Sequence, residues 1–223
     1  MPQARSVATR LWLVPTITAA VLAAGFCWLA VYIRGGQGGP TALDNRIITA
    51  VRAWESPGMT SFMKCITGMG NGLPVVVLSI VLLLVLAMLR YRLELLLFIA
   101  VVSGSGLLNL LLKQLVQRTR PAGERLVEAA GYSFPSGHAM AAFTLYGITA
   151  YLIWKHIPRR EGRALMALIS VLLIFAIGLS RIYVGVHYPT DVLGAYLASG
   201  TWLAVTVGAF RCWQAARQPA KRQ

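Results

Sequence analysis

Six stretches of this chain are apolar for long enough to cross a bilayer, and that feature narrows the fold to one class. A hydrocarbon core about 30 Å thick offers no water to backbone N–H and C=O groups, so a spanning segment of about 20 residues satisfies them internally, as an α-helix. The candidate segments are Leu11–Ile33, Leu73–Leu89, Leu93–Val116, Ala139–Trp154, Ala164–Leu179 and Val192–Phe210. The expected fold class is all-α, a six-transmembrane-helix bundle, with residues 1–223 forming a single membrane-embedded domain. Composition agrees, since 57% of residues are hydrophobic and only 13% charged. The first stretch follows Arg5 and Arg10 but is too long for a signal peptide, and no small-x-small cleavage site followed by a soluble domain is evident, so it reads as a retained span.

A net charge of +14 raises the question of nucleic acid. The cations fall in the gaps between apolar runs rather than in a basic block with interleaved aromatics, so no nucleic acid partner is expected. Counted at alternate helix ends, twelve Lys and Arg lie on one side and nine on the other. The richer side includes Arg5, Arg10, Arg90, Arg92, Lys155, Arg159, Lys221 and Arg222. By the positive-inside rule both termini are cytoplasmic and the opposite ends face outward. Cys27, Cys65 and Cys212 are far apart, with no Cys-x-x-Cys, so packing is expected of them rather than a zinc site or disulfide.

Between the first two spans a Gly-rich breaker, residues 35–40, precedes Leu43 to Trp54. Ile47, Ala50, Val51 and Trp54 recur at helical spacing there, which fits an amphipathic helix lying either on the outer leaflet or across the end of the bundle. Gly68 to Gly72, including Asn71, follows no strand and reads as a loop entering the second span. Ser103, Gly104, Ser105, Gly106 and Asn109 form a small, weakly polar patch that marks close helix packing.

Three clusters sit at the outward ends of the spans. Lys113 and Arg120 close the third, seven residues apart, and point from one face if the helix persists that far. Pro121 turns the chain after them. Arg118 and Arg125 read as ordinary snorkelling cations. Pro135-Ser136-Gly137-His138 opens the fourth span. There Ser136 is placed to cap the helix, and Gly137 permits close backbone approach, so the first-turn N–H groups can bind an anion. Arg181, His187 and Asp191 lie between the last two spans. Such costly charges at a membrane edge normally face a cavity and one another. His187 can attack phosphorus through one ring nitrogen, while Asp191, four residues on, orients the other and stabilises the imidazolium; Arg181 offers a bidentate fork to phosphate. His156 stands apart among the cytoplasmic cations, as a solvated loop residue.

The patterns Lys-x6-Arg-Pro, Pro-Ser-Gly-His and Ser-Arg-x5-His-x3-Asp, at Lys113 to Pro121, Pro135 to His138 and Ser180 to Asp191, resemble the three signatures of the type 2 phosphatidic acid phosphatase superfamily. All eleven fixed identities are present. The resemblance implies a metal-independent, cofactor-free lipid phosphatase of the bacterial plasma membrane that works through a phosphohistidine. It assigns His187 as nucleophile, Asp191 as its partner and His138 as the acid, and Lys113, Arg120, Ser136, Gly137 and Arg181 as the phosphate cradle. Undecaprenyl diphosphate, phosphatidylglycerol phosphate and phosphatidic acid are the substrates it implies. Phosphotransfer to a second lipid, and lipid-phosphate binding or flipping without bond cleavage, are the alternative uses of such a cradle. A bell-shaped pH profile is expected, because His187 attacks when neutral and His138 donates when protonated.

Overall fold

Six of the eight helices in the computed structural model, which describes residues 2–70 and 72–217, follow the six apolar stretches. Asn71, Lys221 and Arg222, which entered the loop and charge readings above, lie outside the described residues, as do the side chains of Arg5 and Arg10. The order is α1 (Pro2–Gly35), α2 (Ala42–Arg52), α3 (Pro57–Met69), α4 (Gly72–Met88), α5 (Arg92–Val116), α6 (Gly137–Trp154), α7 (Arg160–Tyr183) and α8 (Pro189–Arg217). No strand occurs among the described residues.

Four segments are long and apolar enough to cross a membrane unaided: Trp12–Gly35, Arg92–Val116, Arg160–Tyr183 and Pro189–Arg217. A fifth arises if α3 and α4, bent by 43° where they meet, count as one. α6 is not among them. It occupies the middle of the bundle, with Ala139, Met140, Ala142, Leu145 and Ile148 buried, and a helix wrapped in protein needs less hydrophobicity than one facing lipid. The outward faces of the other long helices carry exposed Trp28, Val31, Leu84, Leu110 and Leu172. Surfaces of this kind suit hydrocarbon rather than water.

The apolar-run criterion passes over α3, whose start is marked by local chemistry instead. Ser56 accepts a hydrogen bond from the Met59 N–H at 3.3 Å, and Pro57 occupies the first turn, where its missing N–H costs nothing. The expected loop at 68–72 is correspondingly short, since Gly68 and Met69 still belong to α3 and Gly72 already begins α4. α7 and α8 also run longer than their apolar stretches: Ser180 to Tyr183 and Pro189 to Asp191 carry them into the site, while Arg160 to Arg163 and Arg211 to Arg217 extend their opposite ends.

α8 is the central element, packed along α1 and touching α2, α5, α6 and α7. The small-residue patch on α5 is one of its seats. A Cβ at Gly104 would stand 2.2 Å from the Trp202 ring, whose Nε1 donates to the Val101 carbonyl at 3.0 Å. α2 rests on the end of the bundle. Its Val51 is buried, and Ile47 and Ile48 pack against the core that holds Met63, Ile182 and Val192, while Leu43 and Trp54 stay exposed. Of the cysteines only Cys212 is buried, so the packing expected of Cys27 and Cys65 is not found.

Candidate active site

His187 is delivered by the short connection between α7 and α8. Gly185 adopts φ +75°, a left-handed conformation that favours glycine, and the Val186 N–H turns back to the Arg181 carbonyl at 3.3 Å. The turn points the imidazole inward, where it is 2% exposed. Its Nδ1 lies 3.4 Å from Asp191 Oδ2, an i, i+4 pairing across the start of α8. That same oxygen accepts from the Ser133 hydroxyl and from the Tyr188 N–H at 2.8 Å. Nε2 faces the other way, 3.3 Å from Arg120 Nη1. This arrangement assigns the Nδ1–H tautomer, with Nε2 carrying the free lone pair. Burial pushes His187 down to about 4, with Asp191 offsetting part of the effect and Arg120 and Arg181 adding to it. The ring is therefore neutral near pH 7.

Three cations from different elements meet at this end of the bundle, two of which, Arg120 and Arg181, act on the ring itself. Lys113 ends α5 and donates from Nζ to the Tyr132 carbonyl. The helix does not persist to Arg120, as a shared face would have required: it stops at Val116, and Gln117 takes φ 53°. Arg120 reaches the site through the following loop, held by Gly131, Ala130 and Val186 carbonyls at 3.0, 2.8 and 2.9 Å. Arg181, in the last turn of α7, donates from Nη1 to Thr67 Oγ1 of α3 at 2.7 Å, while its buried Nε has no partner. His138, the second residue of α6, lies within the electrostatic reach of Arg181, His187, Arg120 and Lys113.

The N-terminus of α6 completes the arrangement. Ser136 is the N-cap residue by position, but its side chain makes no capping bond, contrary to the sequence expectation. Its Oγ is buried without a partner, and the first-turn N–H groups have no side-chain cap. Asn109 holds the turn from below, donating to the Pro135 carbonyl at 3.3 Å and to Met140 Sδ at 3.1 Å. Only a residue without Cβ fits at 137 with ease, because that atom would stand 3.2 Å from Asn109 Oδ1. Orphaned donors, cations and a helix N-terminus near one neutral imidazole are chemically suited to a compact, multiply charged anion.

All eight expected site residues thus gather at one end of the bundle. Arg118 is the clear correction. Rather than snorkelling, it is 1% exposed and lies behind Asp191, which it meets at 2.7 Å. A helical-spacing argument could not find this, since the backbone has left the helix before residue 118. Asn109 was legible in principle, one turn before Lys113 on the same face. Ser133 and Thr67 carry no local signal; of the Arg118 partners Thr190 carries none either, and Asp44 is signalled only as the Thr41-x-x-Asp44 start of α2. Arg125 is exposed as expected, folded onto the Pro121 carbonyl, and His156 is exposed with its ring stacked on Tyr91 at 5.6 Å.

Residues 93–215 match the model of the PAP2 superfamily, a span that holds all three motif clusters. Phosphatidylglycerophosphatase B of Bacillus subtilis (strain 168) is 32% identical over 154 residues, covering 69% of this chain and 76% of that protein. The putative undecaprenyl-diphosphatase YbjG of Escherichia coli (strain K12) is 42% identical over 73 residues, about a third of each chain (33% and 32%). Among solved structures, a transmembrane PAP2 type phosphatidylglycerolphosphate phosphatase from Bacillus subtilis superposes with a TM-score of 0.78 at 28% identity, covering 92% of this chain and 99% of that one.

Proposed function

Since this chain belongs to the PAP2 superfamily and is a multi-pass membrane lipid phosphatase, we propose that it hydrolyses lipid phosphate monoesters or diphosphates in two steps, through a phosphohistidine on His187. In the first step Nε2 of His187 attacks the terminal phosphorus, its P–O bond to the lipid alcohol of a monoester or to the lipid monophosphate of a diphosphate breaks, and the leaving oxygen takes a proton from His138. In the second, water attacks the phosphohistidine and yields its proton to His138, releasing inorganic phosphate and regenerating neutral His187. Asp191 stabilises the imidazolium character that grows on His187. Lys113, Arg120, Arg181, the Ser136 hydroxyl and the Gly137 N–H surround the equatorial oxygens, where charge develops in the transition state. No step calls on a metal or cofactor.

The observation that carries this reading is the placement of His187. Its Nδ1 is engaged by Asp191 at 3.4 Å and its Nε2 is turned to Arg120 at 3.3 Å, with Arg181, whose Nε is unpartnered, acting on the ring and Ser136, whose Oγ is unpartnered, joined by its N–H to the Asp191 carbonyl at 3.1 Å. Phosphatidylglycerol phosphate, undecaprenyl diphosphate and phosphatidic acid all present such a group at headgroup depth. The chain forms a single membrane-embedded domain in which α1, the α3–α4 pair, α5, α6, α7 and α8 make six crossings. The lean of Lys and Arg puts both termini in the cytoplasm and the site on the outer face of a bacterial plasma membrane.

The test is phosphate release by purified protein in detergent, with a diphosphorylated isoprenoid and phosphorylated glycerolipids offered in parallel. Release from at least one class, abolished by His187→Ala with membrane insertion intact, is expected. Equal turnover by His187→Ala would defeat the reading. Lipid movement across vesicles with no phosphate released would assign a flipping role instead, and a phosphorylated second lipid among the products would assign phosphotransfer.

A further inference from the structure

Behind the proposed nucleophile pair lies a second charged layer that faces no substrate. Arg118 uses all five of its guanidinium N–H groups on protein acceptors: Nε on the Gly38 carbonyl at 3.2 Å, Nη1 on Thr190 Oγ1 and Asp191 Oδ1 at 2.7 Å each, and Nη2 on the Gly39 carbonyl at 2.8 Å and Asp44 Oδ2 at 2.9 Å. The guanidinium also lies 4.0 Å from the Tyr188 ring centroid. The side chains of Arg118, Asp44 and Asp191 are all 0% exposed. Saturated in this way, Arg118 has no donor left for a phosphate, unlike Arg181.

Asp44 is the other end of this layer. It sits in the first turn of α2, where it forms a capping box with Thr41. It also accepts the Thr190 N–H and hydroxyl, at 2.9 Å each, so a residue of α2 terminates the first turn of α8. Two buried carboxylates thus share one guanidinium, and the trio carries one net negative charge toward His187. Without Asp44, Arg118 would cancel the charge Asp191 presents to the imidazole. Without Arg118, two carboxylates would lie in one dry pocket.

We infer that Arg118 and Asp44 are positioning residues for Asp191, a buried relay that fixes its orientation and its net charge, so that the seating of α2 against α8 is a condition of turnover. This rests on the reading of His187 and Asp191 given above. It gives α2 a role that neither lipid contact nor simple capping of the bundle supplies.

The two partners have opposite charges, so their removal has opposite consequences, and that separates a charge relay from mere packing. The groups facing His187 are Asp191, Arg120, Arg181 and His138, with Lys113 close by; those facing Asp191 are His187, Ser133, Tyr188 and Arg118, with Asp44 beyond. Detergent-solubilised full-length protein is assayed for phosphate release from short-chain phosphatidic acid, with KM, kcat and the acid limb of the kcat/KM profile measured. The set is wild type, His187→Ala, Asp44→Asn, Arg118→Gln and the double variant Asp44→Asn/Arg118→Gln. Asp44→Asn, which keeps the shape of the side chain, is expected to lower kcat about tenfold with KM little changed, and to move the acid limb to lower pH. Arg118→Gln moves it to higher pH, and adding Asp44→Asn to Arg118→Gln raises kcat rather than lowering it further.

A wild-type profile and kcat in Asp44→Asn, or simple accumulation of losses in the double variant, overturns the relay while His187→Ala remains inactive. Turnover unaffected by His187→Ala overturns the relay and the phosphohistidine reading together.

Discussion

Arg120 Nη1 lies 3.3 Å from His187 Nε2 and is anchored there by the Val186 carbonyl at 2.9 Å. A fixed cation therefore stands beside the one ring nitrogen that Asp191 leaves free. Its other two bonds, to Ala130 and Gly131, tie it to the loop entering α6, so the guanidinium is pre-organised rather than recruited by substrate.

Arg120→Ala is expected to lower kcat by roughly 10²–10³-fold, the usual effect of removing one pre-organised donor from a developing oxyanion. Arg120→Lys should restore little of it, because an ammonium cannot hold three carbonyls and face phosphate at once. Steady-state phosphate release measures both, and a kcat for Arg120→Ala close to wild type would remove Arg120 from the cradle.

The pH dependence follows from the burial of His187. With its pKa pushed down to about 4, the folded protein keeps the ring neutral through the mildly acidic range. The acid limb of kcat/KM is thus expected to bend near that value rather than at about 6.5, where an unperturbed histidine titrates. Stability has the same sign: between those two values the unfolded chain binds a proton that the folded chain refuses, so the contribution of neutral His187 is full above the upper value and lost as pH falls through the lower. A limb at the unperturbed value would show that the imidazole is not shielded as the fold implies.

The site was legible where its chemistry lies close in sequence. His187 and Asp191 pair across one helical turn, and Ser136, Gly137 and His138 open a helix, so local geometry fixed their relation before any fold was known. What remained hidden depends on chain path. Arg118 reads as a snorkelling cation because nothing in its neighbourhood announces that Gln117 turns the chain left-handed and that Asp44, 74 residues away, waits opposite. The apolar stretches located six helices for a similar reason: hydrophobic length is a local property. α3 escaped because its Thr67 and Met63 face protein, with Phe62 and Cys65 exposed, and 13 residues are too few for the bilayer ruler.

Gly185→Ala is expected to damage the site through the backbone. The left-handed φ of +75° costs an alanine about 1–3 kcal/mol, and its Cβ would stand 2.6 Å from the Glu124 carbonyl oxygen, which cannot yield as a flexible side chain would. The displaced connection carries His187. Gly131→Ala is the matched comparison, since it meets the same kind of strain at φ +69° with nothing within 4 Å of the added carbon. Thermal unfolding in detergent and kcat should both fall further for Gly185→Ala, and equal losses in the two variants would refute the steric part of the argument.

Thr67→Val tests the hold on Arg181 from a helix that the motifs do not include. Thr67 Oγ1 accepts from Arg181 Nη1 at 2.7 Å in a buried setting, and valine has nearly the same shape with no acceptor. Arg181 already has one buried N–H without a partner, so losing this bond frees the guanidinium to rotate away from the His187 ring. A hydrogen bond to a charged group contributes roughly 1.5–3 kcal/mol, equivalent to about a ten- to hundredfold fall in kcat/KM if it is felt fully in the transition state. Thr67→Ser keeps the acceptor and should recover most of the loss, whereas a cavity effect would be larger for serine, which lacks the methyl group, than for valine. Measured turnover that ranks serine below valine would therefore place Thr67 in the packing of α3 against α7 and leave Arg181 to be positioned by the bound phosphate alone.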